Sequence, residues 1–228
     1  IFQEIVCRCD YGIDLHTASA RKTNYPHIRG DLNHDSIENI AMAFGSEIVL
    51  NQAGPEGALR REALAAGCPT IVLEAGEVLK VEPGIVRSVV RGIRNVLRRL
   101  EMLDGPLERP RYQLVIENSR WLRANKGGFM QFHVAPGDLI EHGQPIVTTF
   151  DLLGKIKETQ ESPFDAVAIG MTTLPAVSPG EPICHLGMLP RGTDLSRLRM
   201  SRQEPDGLEE QIVDQLATNL VVVDRDDP

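Results

Sequence analysis

Asp14 and His16 close the short run GIDLH at residues 12–16. Residues two apart on a strand point to the same face. The carboxylate can therefore accept the imidazole's second N–H and hold the ring as a metal-binding histidine requires. A histidine at the end of a buried strand also serves in plain packing, so His16 is the best single metal-ligand candidate without being a site by itself. Glu74 ends the run IVLE, at the carboxyl end of a strand, where open α/β sheets place their sites. Partial burial there suits an acid to general base and acid work; nearby Glu77 and Glu82 read as cap or loop acids. Arg60 and Arg61 lie on the helix ahead of that strand. Either presents a fixed fork of donors that can clamp a carboxylate or stabilise an oxyanion, against the plainer fate of a surface ion pair. Asn24, His27 and Arg29 crowd the polar stretch after His16, as substrate contacts or as side chains that order a loop.

Positioning these groups falls to an alternation of short apolar runs and helices. Residues 2–9 read as helix-like, and 12–16, EIVLN at 47–51 and PTIVLEAG at 69–76 as buried strands. A polar loop is predicted from 17 through 34. Asp35 or Ser36 caps a helix through IENIAMAFG, with Gly45 just beyond its end. GPEG turns into the helix ALRREALAAG, stopped by Gly67. Strands alternating with helices predict a mainly parallel sheet covered on both faces. The longest helix is predicted over Pro83 to Leu103, with an apolar face including Ile85, Val89, Ile93 and Val96. Its arginines (87, 91, 94, 98 and 99) read as a solvated face, with cations favoured near the C-terminus.

DGPLERP at 104–110 breaks the helical pattern. Beyond it, YQLVIE, GGFMQFHV, PIVTTF, AVAIGM and EPICHLG are divided by Gly/Pro turns, which predicts a small all-β domain. VAPGDLIEHGQPIV and PAVSPGEPICHL each place a Pro-Gly-acid turn before a strand, a sandwiched-hairpin pattern close to the biotinyl/lipoyl-carrier type. From Pro190 the chain turns polar, with a weak helix at Leu208–Leu220 and a strand at LVVV. The expected division is 1–105, 106–189 and a mobile tail 190–228. The fold class is α/β, a mixed sheet with flanking helices, followed by a small all-β, lipoyl-like domain.

Hydrophobic residues make up 42% and charged residues 25%, an ordinary globular balance. The net charge of -8 argues against nucleic acid or an anionic membrane as partner, and no apolar run approaches the ~20 residues that span a bilayer. Cys7, Cys9, Cys68 and Cys184 are irregularly spaced, which reads as reduced thiols in a cytoplasmic protein.

The motifs together resemble a known family. IDLHT, Arg21-Lys22-Thr23-Asn24, PHIRGDL, GPEGALRREAL with GCP, LEAGE and GIRNVLRRLEML look like the succinylglutamate desuccinylase/aspartoacylase family, zinc-dependent amide hydrolases built like zinc carboxypeptidases. WLRANKGGFMQFHVAPGDLIEHGQ, SPFDAVAIG and HLG resemble that family's C-terminal β domain, so the likeness runs from residue 2 to 188. It implies a partial carboxypeptidase-like sheet, His16 as the last zinc ligand, Glu74 as catalytic acid/base, and Arg60 as the substrate-carboxylate or oxyanion partner with Arg61 as fallback. It also implies a zinc ion that lowers the pKa of its water and polarises the carbonyl, and an N-acyl amino acid or similar small molecule as substrate.

One departure is plain. The family takes two further zinc ligands from an upstream His-x-x-Glu. Here His16, His27, His34, His133, His142 and His185 are followed at the third position by Ser19, Gly30, Ile37, Pro136, Pro145 and Met188. Catalytic zinc usually has three protein ligands. The expectation is a family member given without its N-terminal part, with the missing ligands upstream of Ile1 and the fragment alone inactive. A second reading is a non-catalytic binding or carrier module. It needs a lysine displayed at a hairpin, and Lys155 and Lys157 sit in DLLGKIKETQ without a carrier's turn. A third reading is an assembly role, with the β domain or the tail packing on a neighbouring subunit of a homo-oligomer.

Overall fold

The computed structural model of the protein describes residues 1–203 and Ile212. The chain forms two compact units: one of residues 1–16, 26–75 and 85–117, the other of 17–25, 76–84 and the chain from 118 onward. No helix among the described residues is long and apolar enough to cross a membrane.

The first unit takes β1 (Gly12–His16), the later part of β2 (Lys22–Gly30), α1 (Asp35–Phe44), β3 (Ile48–Asn51), α2 (Leu59–Ala65), most of β4 (Thr70–Glu77) and of α3 (Pro83–Arg99), and β5 (Leu114–Ile116). Its strands lie in the order β1-β4-β2-β3-β5. β1 with β4, β2 with β3 and β3 with β5 are parallel pairs. Ile28, Ile48, Val49, Leu50 and Ile71 are fully buried, as strands of a parallel sheet are when helices cover it. In α1, Ile37, Ile40, Ala41 and Phe44 recur at helical spacing and are buried. The helix ends at Gly45, whose φ of 80° is the left-handed backbone that glycine adopts without strain. His34 holds the N-cap position without a side-chain bond, so the cap expected from Asp35 or Ser36 is not made. Those positions instead open the helix, where Asp35 and Glu38 in the first turn suit its dipole.

The second unit holds β6 (Ser119–Arg123), β7 (Gly128–Phe132), β8 (Leu139–Ile140), β9 (Pro145–Phe150), β10 (Ile156–Glu161), β11 (Ala166–Thr172), β12 (Ala176–Val177), β13 (Pro182–Met188) and α4 (Leu195–Gln203). β11 is buried at every residue. It pairs antiparallel with β13, with β8 and with Lys22–Asn24 of β2, and β13 pairs with β6. A four-stranded sheet, β10-β9-β7-β12, is antiparallel throughout. Side chains from the strands of both sheets, among them Phe132, Ile146, Val147, Ala168, Met171, Ile183 and Leu186, share one apolar cluster.

Several sequence expectations are corrected. Residues 2–9 make only a short 3₁₀ turn at Val6–Arg8 with no buried residue, because no apolar face is available there to pack. The loop expected over 17–34 contains the nine-residue β2, whose polar side chains are mostly buried. Pro26, which has no N–H to give a ladder, falls between the stretch paired with β11 and the stretch paired with β3. α3 stops at Arg99 rather than Leu103, and Glu101 takes a left-handed φ of 58°. YQLVIE does not open the β unit: β5 aligns Leu114 with Ile48 and Ile116 with Leu50 and completes the first unit's sheet. The breaker segment before it is tied down by Asn95, which is fully buried and exchanges bonds of 2.7 and 2.9 Å with the Glu108 backbone. β6 and β10, rich in charged and polar residues, were not foreseen. Nor was α4, where Arg199 bonds Glu141 at 2.6 Å and the Leu139 carbonyl at 3.0 Å. Apart from Ile212, the helix and strand expected after residue 207 lie outside the described residues.

Gly92 of α3 faces Phe44 of α1: a Cβ there would lie 2.2 Å from the ring, and Phe44 is buried. Helix propensity alone makes Gly92→Ala stabilising by about 1 kcal/mol. Overpacking a close helix contact costs about 1–3 kcal/mol. We expect the second effect to win, so that Gly92→Ala lowers the urea midpoint; an increase would show that Phe44 can yield.

Candidate active site

The site is built on the ends of adjacent strands. In the parallel ladder of β1 with β4, Asp14 aligns with Val72 and His16 with Glu74. Aligned neighbours share a face of the sheet, so the imidazole and the carboxylate of Glu74 emerge side by side. His16 Nε2 lies 3.0 Å from Asp14 Oδ2, the carboxylate–histidine contact foreseen from their two-residue spacing. Both are partly open, with side-chain exposures of 54% for His16 and 25% for Asp14. The contact leaves His16 Nδ1 without a partner among the described residues.

Two arginines reach the same place. Arg29 is partly buried on β2, the strand beside β4. Its Nε donates to His27 Nε2 at 3.1 Å. Burial pushes the Arg29 guanidinium below its ordinary pKa, and the nearby Glu74 charge opposes that shift. Arg60 opens α2, and its Nε donates to the Gln52 carbonyl at 3.2 Å. Burial and then the Arg29 charge push its pKa down, while Glu74 and Asp14 act the other way. Asp14, Glu74, Arg29 and Arg60 are thus one interacting set of charges, with His16 on Asp14. The loop after β3 makes room for Arg60. Gly54 has a φ of 90°, and a Cβ there would lie 2.8 Å from the guanidinium carbon.

Arg61 points elsewhere. It is exposed, with Nη1 3.3 Å from the Gly54 carbonyl and Nη2 3.9 Å from Glu56. Glu77 pairs with Lys80 at 2.6 Å and its amide donates to the Glu82 carboxylate at 2.9 Å, in keeping with the cap or loop role expected of those acids. Asn24 belongs to the second unit, on the stretch paired with β11. His27 was named from sequence as a loop side chain; it is a fully buried strand residue that accepts from Arg29. The signal that could have found this pair is the strand spacing of His27 and Arg29. In the second unit, Lys157 Nζ reaches the Gly127 carbonyl, and at the turn Leu152, Leu153 and Lys155 are exposed.

As a test of metal binding, the residues supply one imidazole with a carboxylate behind it, the usual second-shell arrangement of a metal-bound histidine. Among the described residues, however, no group of three or more His, Cys, Asp or Glu is placed to hold an ion. His16 fits as one ligand of a larger set, and no such set occurs among the described residues.

Comparison with known proteins bears on the same strands. Residues 1–100 match the family model described as the succinylglutamate desuccinylase/aspartoacylase catalytic domain. In these residues the chain is similar to the succinylglutamate desuccinylase/aspartoacylase family. No curated protein matches in sequence. Among solved structures, the ectoine utilization protein EutE (DoeB) of Ruegeria pomeroyi superposes with a TM-score of 0.73 at 14% identity, over 82% of this chain and 63% of that one. A succinylglutamate desuccinylase from Silicibacter sp. TM1040 gives 0.71 at 15% identity, over 83% and 61%. A succinylglutamate desuccinylase/aspartoacylase from Rhodobacter sphaeroides gives 0.70 at 17%, over 82% and 60%. At such identities the likeness is one of fold. The chain spans 60–63% of the length of these structures.

Gly54→Ala should strain the loop and push the Arg60 guanidinium off Gln52. The expected cost is about 1–3 kcal/mol, as for a residue forced into a sparsely populated backbone region, with a change in the Arg60 Nε–H NMR signal. An unaltered signal would mean that the loop, not the arginine, absorbs the methyl group.

Proposed function

We propose that the first unit carries part of a zinc-dependent deacylase centre, which removes an acyl group from an N-acyl amino acid or a similar small molecule in a reducing, cytoplasmic setting. The observation that carries this reading is the alignment of His16 with Glu74 on neighbouring parallel strands. It sets a metal-ligand imidazole beside a carboxylate able to move protons. Similarity to the deacylase family in residues 1–100 supports it.

Asp14 holds the His16 ring through Nε2, which fixes the tautomer and leaves Nδ1 for a metal. Zinc, when bound there with further ligands, supplies Lewis-acid chemistry at the scissile carbonyl. Glu74 takes a proton from the attacking water as the new C–O bond forms, and delivers it to the departing nitrogen as the C–N bond breaks, so that one water is consumed and an acid and an amine leave. Arg60 is fixed through Nε, and its fork faces either the substrate carboxylate or the oxyanion.

The test is hydrolysis of a panel of N-acyl amino acids by zinc-loaded protein that carries a complete set of metal ligands, since His16 supplies only one. Glu74→Gln is isosteric and should lower kcat by about a thousandfold, within the range for loss of a general acid/base, while the thermal midpoint holds. His16→Ala should lower bound zinc measured by mass spectrometry. Wild-type turnover in Glu74→Gln removes that residue from the mechanism, and unchanged zinc content in His16→Ala removes the metal role.

A further inference from the structure

The second unit carries a polar groove that shares no residue with the candidate active site. Its walls are the last strand of each sheet, β6 of the larger one and β10 of the four-stranded one. Its volume is about 610 Å³, within the ~300–1,000 Å³ of small-molecule sites. The walls differ in charge: β6 brings Arg120 and Arg123, and β10 brings Glu158 and Glu161. No ion pair joins them among the described residues. Arg123 Nη1 donates instead to the Gly180 carbonyl at 2.7 Å. The side chains of Arg120 and Glu161 are exposed and have no hydrogen bond or ion pair among the described residues. Glu158 and Gln160 lie two apart on β10 and share a face. Gln160 is only 8% exposed. Its Nε2 donates to the Arg123 carbonyl at 2.9 Å, which fixes the other end of the amide as oxygen. That Oε1 is buried and has no partner among the described residues. Glu158 repeats the pattern: Oε1 accepts from Asn125 Nδ2 at 2.9 Å, and Oε2 is buried without a partner. Buried acceptors are normally paired. An inward charge on an edge strand discourages edge-to-edge pairing, which accounts for Glu158 but not for the unmet amide oxygen beside it.

We propose that this groove binds a small zwitterion, with its ammonium on Glu158 and Gln160 and its anionic end on Arg120. An ammonium group has three donors and no acceptor, so it satisfies both unmet oxygens together after a small turn of either side chain. The Glu158 carboxylate makes that contact charge-assisted. Arg120 has its whole fork free for the anion. A lone cation entering the groove meets two arginines, and a lone anion meets two acids. A dipolar molecule set across the groove opposes neither wall. The site stands independently of the deacylase reading, because it uses none of the residues on which that reading rests.

Binding is measured by calorimetry on the whole chain. Glycine, β-alanine and 4-aminobutyrate are zwitterions of increasing span, while butylamine and butyrate each keep a single charge. At least one zwitterion should bind about tenfold or more tightly than either single ion. Its affinity should fall by on the order of tenfold in Glu158→Gln and in Arg120→Gln, the loss of a charge-assisted pair in each case. The side-chain amide NMR signal of Gln160 should shift as the zwitterion is added. Arg8→Gln, which changes an exposed arginine paired with Glu4, should bind like wild type. If Glu158→Gln fails to fold, Arg120→Gln decides together with the Gln160 signal, since Arg120 is exposed and tied to nothing. Three results overturn the proposal. One is that no zwitterion binds, which leaves the two oxygens to water. Another is that butylamine binds as well as the zwitterions, which removes Arg120. The third is that a zwitterion is lost in Arg60→Gln and kept in Arg120→Gln, which places it in the first unit's site.

Discussion

The arrangement of the first unit's site depends on the register between β1 and β4. Parallel pairing aligns Gly12 with Thr70 and runs without a shift to His16 with Glu74. A one-residue slip would turn every β1 side chain to the opposite face, taking His16 from Glu74 and Asp14 with it. β4 is fixed in place by its buried Ile71, Val72 and Leu73, and the partly buried β1 takes its position from the ladder it makes with that strand. The geometry of the candidate site is therefore held by the backbone ladder, and the polar contact of Asp14 with His16 refines what the ladder already fixes.

Charge balance at the strand ends follows from that register. β4 stands between β1 and β2, so Glu74 has Asp14 and His16 on one flank and Arg29 on the other. Arg60 comes from α2 and is anchored on Gln52, whose amide in turn bonds the end of β2. Two acids and two guanidiniums in one partly desolvated place restrain one another: burial disfavours each charge, and opposite neighbours favour it. The anchoring acceptors on both arginines, an imidazole nitrogen and a carbonyl oxygen, are uncharged. The side chains are thereby ordered by neutral acceptors, and the opposing charges of Glu74 and Asp14 balance the cations.

The strands that carry His16 and Glu74 were legible because both are short, apolar and bounded by turn residues, and because alternation with α1 and α2 predicts parallel pairing. His16 falls at the end of β1 as its apolar run predicts, whereas β4 continues three residues past Glu74 to Glu77. β5 was not legible. YQLVIE follows a breaker segment that reads as a boundary, and hydrogen bonds of Asn95 and Arg98 with Pro106 and Glu108 hold that segment against α3, so that Leu114–Ile116 rejoins the sheet. No local pattern encodes such a long-range tie. β6 and β10 escaped notice because their faces are only partly buried, which blurs the two-residue alternation.

β2 is the instructive failure. Lys-Thr-Asn-Tyr-Pro-His-Ile-Arg-Gly breaks the local rules for an interior strand in composition, with a proline inside it and few apolar side chains, yet Thr23, Asn24 and His27 are buried. A segment chosen for stability alone would be richer in valine and isoleucine, as β3 and β4 are. Buried polar groups are retained where they find hydrogen-bond partners, and His27 finds its partner in Arg29. The same departure that disguised the strand as a loop therefore marks where the fold gives up apolar burial for chemistry. Reading such a stretch as a strand first, and asking which alternate residues then share a face, brings His27 and Arg29 together before any coordinates are known.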